Sequence, residues 1–182
     1  MRLSVSHDYA EQHLVERVRR GDGGALRMVF ERHAPAMHRL AFYLLGSRDD
    51  ADDIVQDVFV GLRASLTQYE ESGSFEAWLR QLTTRAALMR LRAERRRTAA
   101  HTAGGSLATQ PASDAILADR LSRAIAALPP ALRSVVVLRM IEDYTHEEIA
   151  TALGISVGAC KVRLHRALRL LRPQLEQLRK ER

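Results

Sequence analysis

Four aspartates crowd into five residues, at Asp49, Asp50, Asp52 and Asp53. Carboxylates spaced this way can hold magnesium against a diphosphate. Enzymes that use them so need a much larger helical body and a second acidic motif, and this chain has neither. The plain reading is a solvated acidic face. On one helix, however, the four charges repel one another, and a place near the helix N-terminus relieves only part of that repulsion. A cationic protein partner would relieve the rest. His146-Glu147-Glu148-Ile149-Ala150 opens like the helical zinc motif of metalloproteases but lacks its second histidine. The seven histidines are scattered. The single cysteine, Cys160, excludes an internal disulfide and argues against a cysteine-based zinc site. No catalytic residue, metal or cofactor is expected, and the chain reads as a binding protein rather than an enzyme.

Two segments carry the chemistry of nucleic-acid binding. In the first, Tyr69, Phe75 and Trp78 fall within ten residues. Arg80, Arg85, Arg90, Arg92, Arg95, Arg96 and Arg97 follow. Rings can stack on unpaired bases while guanidinium groups hold the backbone. Phe75 and Trp78 can equally pack into a core with Leu79, Leu82 and Leu88, and for Trp78 the core is preferred. The second segment is 145-THEEIATALGISVGACKVRLHRALRLLR-172. Thr145 and Glu148 form a capping box, Gly154 ends the first helix, and Ser156 caps the second. Ile149, Ala150 and Leu153 give the first helix an apolar stripe. Cys160, Leu164, Leu168 and Leu171 give the second one. Its opposite face carries Lys161, Val162, His165, Arg166 and Arg169. A short capped helix, a glycine turn and a longer basic helix make a helix-turn-helix, whose second helix can lie in the major groove. Cys160 falls on the apolar stripe and reads as core.

Helices must position both segments. The chain has 182 residues, 46% of them hydrophobic and 27% charged, which suits a globular protein of one domain or two small ones. Of the 28 basic residues 26 are Arg and 2 are Lys, against 22 acidic, for a net charge of +6. Residues 1–97 carry a net +2, 98–119 a net −2 and 120–182 a net +6, so the excess lies in the last third. A basic domain points to a polyanion. The stretch 98–113 is uncharged, holds Gly104, Gly105 and Pro111, and reads as a flexible linker. No segment shows strict apolar alternation, so the fold class is all-α: two small helical domains, 8–97 and 114–182. Helices are predicted near 10–20, 23–45 with a kink at Pro35, 48–66 and 75–94. The second domain is predicted to add 115–127, 130–141, 146–152 and 157–171. No window approaches the ~18 apolar residues of a membrane span, and the N-terminus has no apolar signal core. A cytoplasmic protein without membrane insertion is expected.

Four stretches, in this order, resemble the extracytoplasmic-function (ECF) sigma factors, the small two-domain sigma subunits of bacterial RNA polymerase. They are DADDIVQDVF (50–59), SFEAWLRQL (74–82), ALPPALRSVVVLR (127–139) and THEEIATALGIS with KVRLHRAL (145–168). The resemblance implies that Asp52, Asp53, Gln56 and Asp57 dock on the clamp helices of the largest polymerase subunit. It implies that Tyr69, Ser72, Gly73, Phe75 and Trp78, with Arg85 and Arg92, capture the non-template strand of the minus-10 element. A base is then flipped into the loop pocket. It implies that Lys161, Val162, Arg163, His165 and Arg166 read the minus-35 duplex, and that the flap of the second-largest subunit is a further contact on the polymerase. An anti-sigma factor is a further implied partner. Arg85 stands where the family often has Asn, Met89 where it often has Asp, and Ala159-Cys160 where Thr-Val is common. Glu70-Glu71 replaces the usual basic loop. These departures leave the fold intact and leave the promoter sequence open. A conventional helix-turn-helix regulator is the alternative, but it leaves the acidic helix and the aromatic–arginine segment without a role.

Overall fold

The computed structural model describes residues 3–69, 74–100 and 116–180. Among them all extended regular structure is helical. The helices are α1 (Leu3–Arg19), α2 (Gly23–Leu45), α3 (Arg48–Ser65), α4 (Phe75–Ala100), α5 (Ile116–Ala126), α6 (Pro130–Met140), α7 (His146–Leu153) and α8 (Val157–Lys180). A 3-10 turn at Leu66–Gln68 follows α3. The expected all-α class is what the structure has.

Three helices outrun their expected bounds. α1 begins at Leu3, α4 continues through Ala100, and α8 continues through Pro173 to Lys180. Proline removes one backbone donor and crowds the preceding turn. Pro173 is exposed, as is Arg169, whose carbonyl loses its donor. Arg172 and Glu176 form an i,i+4 ion pair at 3.3 Å across the same turn. α2 likewise spans the exposed Pro35. α4 runs three residues into the segment expected as a linker, whose remainder, 101–113, lies outside the described residues.

The chain divides into two compact units. The first takes the chain up to Ala41 together with Arg48–Ala87, and the second takes Phe42–Ser47 and the chain from Leu88 on. In the first, Asp22 caps α2: its Oδ1 accepts from the Ala25 amide at 3.0 Å, and its Oδ2 takes Arg17 Nη2 at 2.7 Å. α3 buries Ile54, Val55, Val58, Phe59 and Leu62, the face its apolar spacing predicts. Burying each such side chain contributes about 1.5–3 kcal/mol before entropy is counted.

In the second unit α8 packs on α5, α6 and α7. α6 is the central helix, with Arg133–Leu138 all buried. Pro130 opens it, where the missing amide would have no partner anyway. A helix hydrophobic on every side belongs in a core, but Arg133 must then be satisfied there. Its guanidinium donates to the Ala126 carbonyl at 2.6 Å, to the Leu44 carbonyl at 3.2 Å, and to the Leu45 carbonyl. These are carbonyls at helix ends, which lack intrahelical donors. Gly46, at φ +77°, lets the guanidinium approach, because a Cβ there would collide with it.

Candidate nucleic-acid interface and acidic docking face

The helix-turn-helix is built from local signals. Thr145 Oγ1 accepts from the Glu148 amide at 3.2 Å, and Glu148 Oε2 accepts from the Thr145 amide at 2.7 Å. The Thr145 amide first, and then the Thr145 hydroxyl, which donates to the same Oε2 at 2.9 Å, hold the Glu148 carboxyl below its usual range. Gly154 closes α7 in the left-handed region at φ 64°, and the Ile155 amide returns to the Ala150 carbonyl at 3.0 Å. Ser156 Oγ then accepts from the Ala159 amide at 3.1 Å and starts α8.

α8 sorts its side chains by face. Cys160, Ala167 and Leu171 are buried. Leu168, expected on that stripe, is 38% exposed. The buried positions step by seven and four, so Ala167 takes the inward place and Leu168 turns to the rim. Lys161, Val162, His165, Arg166 and Arg169 are all exposed on the other side. Arg163 is only half exposed, and its Nη1 is buried without a hydrogen-bond partner.

The acidic face lies on α3. Asp52, Asp53, Gln56 and Asp57 are exposed, opposite the buried apolar face. His38 of α2 reaches one of them: its Nε2 lies 3.1 Å from Asp52 Oδ1. Sequence spacing gave no sign of this contact, because α2 and α3 are brought together only by packing.

The aromatic segment folds into a cluster. Tyr69 and Trp78 ring centroids are 5.1 Å apart, Tyr69 and Phe75 5.5 Å, and Phe75 stacks on Trp78 at 5.8 Å. Phe75 is 2% exposed and Tyr69 is 7% exposed, while Trp78 keeps a partly open surface. Phe75 therefore serves as core, and of the three rings Trp78 has the accessible face. Ser74 caps α4, its Oγ 3.4 Å from the Ala77 amide. Ser72 and Gly73 lie outside the described residues. Arg85 is exposed, and Arg92 is exposed with its Nη2 donating to the Ala152 carbonyl.

Three contributors to the cluster escape the sequence reading. Arg19 Nη2 donates to the Tyr69 carbonyl at 2.8 Å. His33 packs edge-on against Phe75 with centroids 5.6 Å apart. Glu11 Oε1 lies 3.1 Å from His33 Nε2. Arg19 and Tyr69 are 50 residues apart, beyond any local pattern. Among the described residues no group of His, Cys, Asp and Glu could hold a metal ion, and no helix is long and apolar enough to cross a membrane.

The two regions match known families. Residues 29–97 match the family model of sigma-70 region 2, and residues 118–171 match that of sigma-70 region 4. The ECF RNA polymerase sigma factor SigE of Mycolicibacterium smegmatis is 34% identical over 152 residues, covering 79% of this chain and 58% of SigE. The chain thus spans less than two thirds of that relative. The RNA polymerase sigma factor CarQ of Myxococcus xanthus is 33% identical over 171 residues, covering 92% of this chain and 98% of CarQ. In fold, the chain is similar to the sigma factor RpoE of Bartonella quintana, solved in complex with the anti-sigma factor NepR. The TM-score is 0.57 at 23% identity, over 82% of this chain and 96% of RpoE. The helix-turn-helix and the acidic and aromatic segments thus sit in sigma-70 regions 4 and 2. The chain belongs to the ECF sigma factors of RNA polymerase.

Proposed function

We propose that the chain directs core RNA polymerase to particular promoters through three separate faces. Asp52, Asp53, Gln56 and Asp57 dock on the clamp helices of the largest subunit. The Tyr69–Phe75–Trp78 cluster, with Ser72, Gly73, Arg85 and Arg92, receives the unpaired non-template strand of the minus-10 element. Lys161, Val162, His165 and Arg166 read the minus-35 duplex, with Arg163 beside them, and the same domain meets the flap of the second-largest subunit. The division of labour follows residues 8–97 and 114–182, with 98–113 between them. RNA synthesis itself belongs to the polymerase, and the place of action is the cytoplasm. An anti-sigma factor that covers these faces is proposed on the precedent of the RpoE–NepR complex.

The observation that carries this reading is the sorting of α8: a buried stripe on one side, and Lys161, Val162, His165 and Arg166 exposed on the other. A recognition helix needs cations for phosphates and a few side chains for base edges on one face. The test is transcription in vitro from fragmented genomic DNA, with core polymerase in the presence and absence of the protein. New transcript starts sharing two upstream elements support the reading. No new starts and no co-elution with core polymerase would overturn it in favour of a conventional regulator.

A further inference from the structure

α1 lies ahead of the region-2 match, which begins at residue 29. It nonetheless reaches the aromatic cluster from two points. At its end, Arg19 Nη2 donates to the Tyr69 carbonyl at 2.8 Å, and the guanidinium carbon sits 5.8 Å from the Tyr69 ring centroid. Tyr69 directly precedes residues 70–73, so this bond fixes one end of the connection into α4. Two turns earlier Glu11 meets His33, with side chains only 11% and 7% exposed. His33 in turn sets its ring edge-on to Phe75, on which Trp78 stacks. One helix therefore touches the first ring through its backbone and the second through a buried histidine.

We propose that α1 sets the strand-capturing pocket: Arg19 and the Glu11–His33 pair are positioning residues that hold Tyr69, Phe75 and Trp78 in the arrangement that receives an unpaired promoter base. This inference rests on the strand-capture reading above. An arginine suits the first contact because its planar fork can bond a carbonyl while stacking on a ring, where a lysine offers only a compact, strongly hydrated charge. The second contact is sensitive to acid. His33 Nε2 is buried, 3.1 Å from Glu11 Oε1. Burial holds the imidazole below its usual value, Glu11 of α1 and Glu76 of α4 favour the proton, and Arg32 of α2 opposes it. The folded chain thus binds this proton less readily than the unfolded chain. Burial of the neutral imidazole therefore costs the fold nothing above the ordinary histidine value of about 6.5 and disfavours folding as pH falls below it.

Trp78 is the only tryptophan, so its emission reports on the cluster in the full chain. Emission is recorded for the wild type, Arg19→Ala and Arg19→Lys, and for His33→Gln from about pH 8 down to 5.5. Holoenzymes with the same variants are scored for opening of a promoter obtained from the transcription experiment, by reactivity of its unpaired thymines, and for polymerase binding. Arg19→Ala is expected to shift Trp78 emission and to reduce opening about tenfold, the loss of one hydrogen bond from a charged donor, with polymerase binding unchanged. Arg19→Lys is expected to recover part of the opening, and His33→Gln to remove the acid-dependent emission change. Wild-type emission and opening in Arg19→Ala would overturn the inference, as would an equal loss of polymerase binding, which would mark a merely destabilised unit. Trp78→Phe and Trp78→Ala separate the two readings. If both open the promoter as well as the wild type, strand capture itself falls, and this inference with it. If they fail while Arg19→Ala opens normally, only the role of α1 falls.

Discussion

Phe75 and Trp78 sit side by side yet have different standing: one is floor, the other wall. Under the proposed strand capture the base meets the partly open indole, while Phe75, at 2% exposure, stacks on that ring from within the core. The same division holds on α8, where Arg166 is exposed and Cys160 is not. Replacing Arg166 by Ala is expected to weaken binding to minus-35 duplex by about 1–3 kcal/mol if it makes a bidentate base contact, with the loss confined to one base position. Competition binding with single-base variants of the duplex checks this, and an unchanged affinity removes Arg166 from the reading face. On α3, Gln56→Ala together with Asp57→Ala is expected to weaken polymerase binding by about tenfold or more, the cost of truncating central interface residues. Duplex binding by the full chain should be untouched. The reverse pattern would mean that this face contacts DNA.

Between residues and molecule stand the elements, and their ends carry much of the specification. Asp22 caps α2 and Glu148 closes the capping box of α7. Both carboxyls are held below their usual range, each first by a backbone amide, Ala25 and Thr145 respectively. The folded chain therefore binds these protons less readily than the unfolded chain. The caps stabilise fully above the ordinary carboxyl values near about 4 and are lost as pH falls through the lower folded values. Thermal melts are expected to fall below about pH 4, and less steeply in Asp22→Asn and Glu148→Gln. The Thr145–Glu148 box was legible because it acts over three residues. So was the buried face of α3, whose spacing is a property of one helix. The early start of α1 and the passage of α8 through Pro173 were not, because local stop signals are weaker than the pairing of neighbouring turns. Leu168 was misplaced by one position: from Cys160 the buried face steps by seven and then four, which puts Ala167 rather than Leu168 inward. Arg19 on Tyr69 and Arg133 on Leu44 were beyond reach, since their partners lie 50 and 89 residues away and chain order says nothing about who meets whom.

At the scale of the whole molecule the charge is a net +6 carried almost wholly by arginine, with the excess in residues 120–182. Binding to promoter duplex is expected to weaken steeply with salt, and Lys161→Ala to reduce the slope of log affinity against log salt by about 1 if it neutralises one phosphate. A slope that does not change removes Lys161 from the phosphate contacts. The chain also carries its own clock. Cys160 is the sole thiol, fully enclosed, and burial pushes its ionisation up. A thiol reagent reaches it when the packing of α8 on its neighbouring helices opens. The rate of labelling, set against that of the unfolded chain, therefore measures the free energy of opening of the helix-turn-helix alone, with no added probe. Whatever clasps the recognition helix, promoter or inhibitor, should slow that clock by the factor with which it binds the closed form.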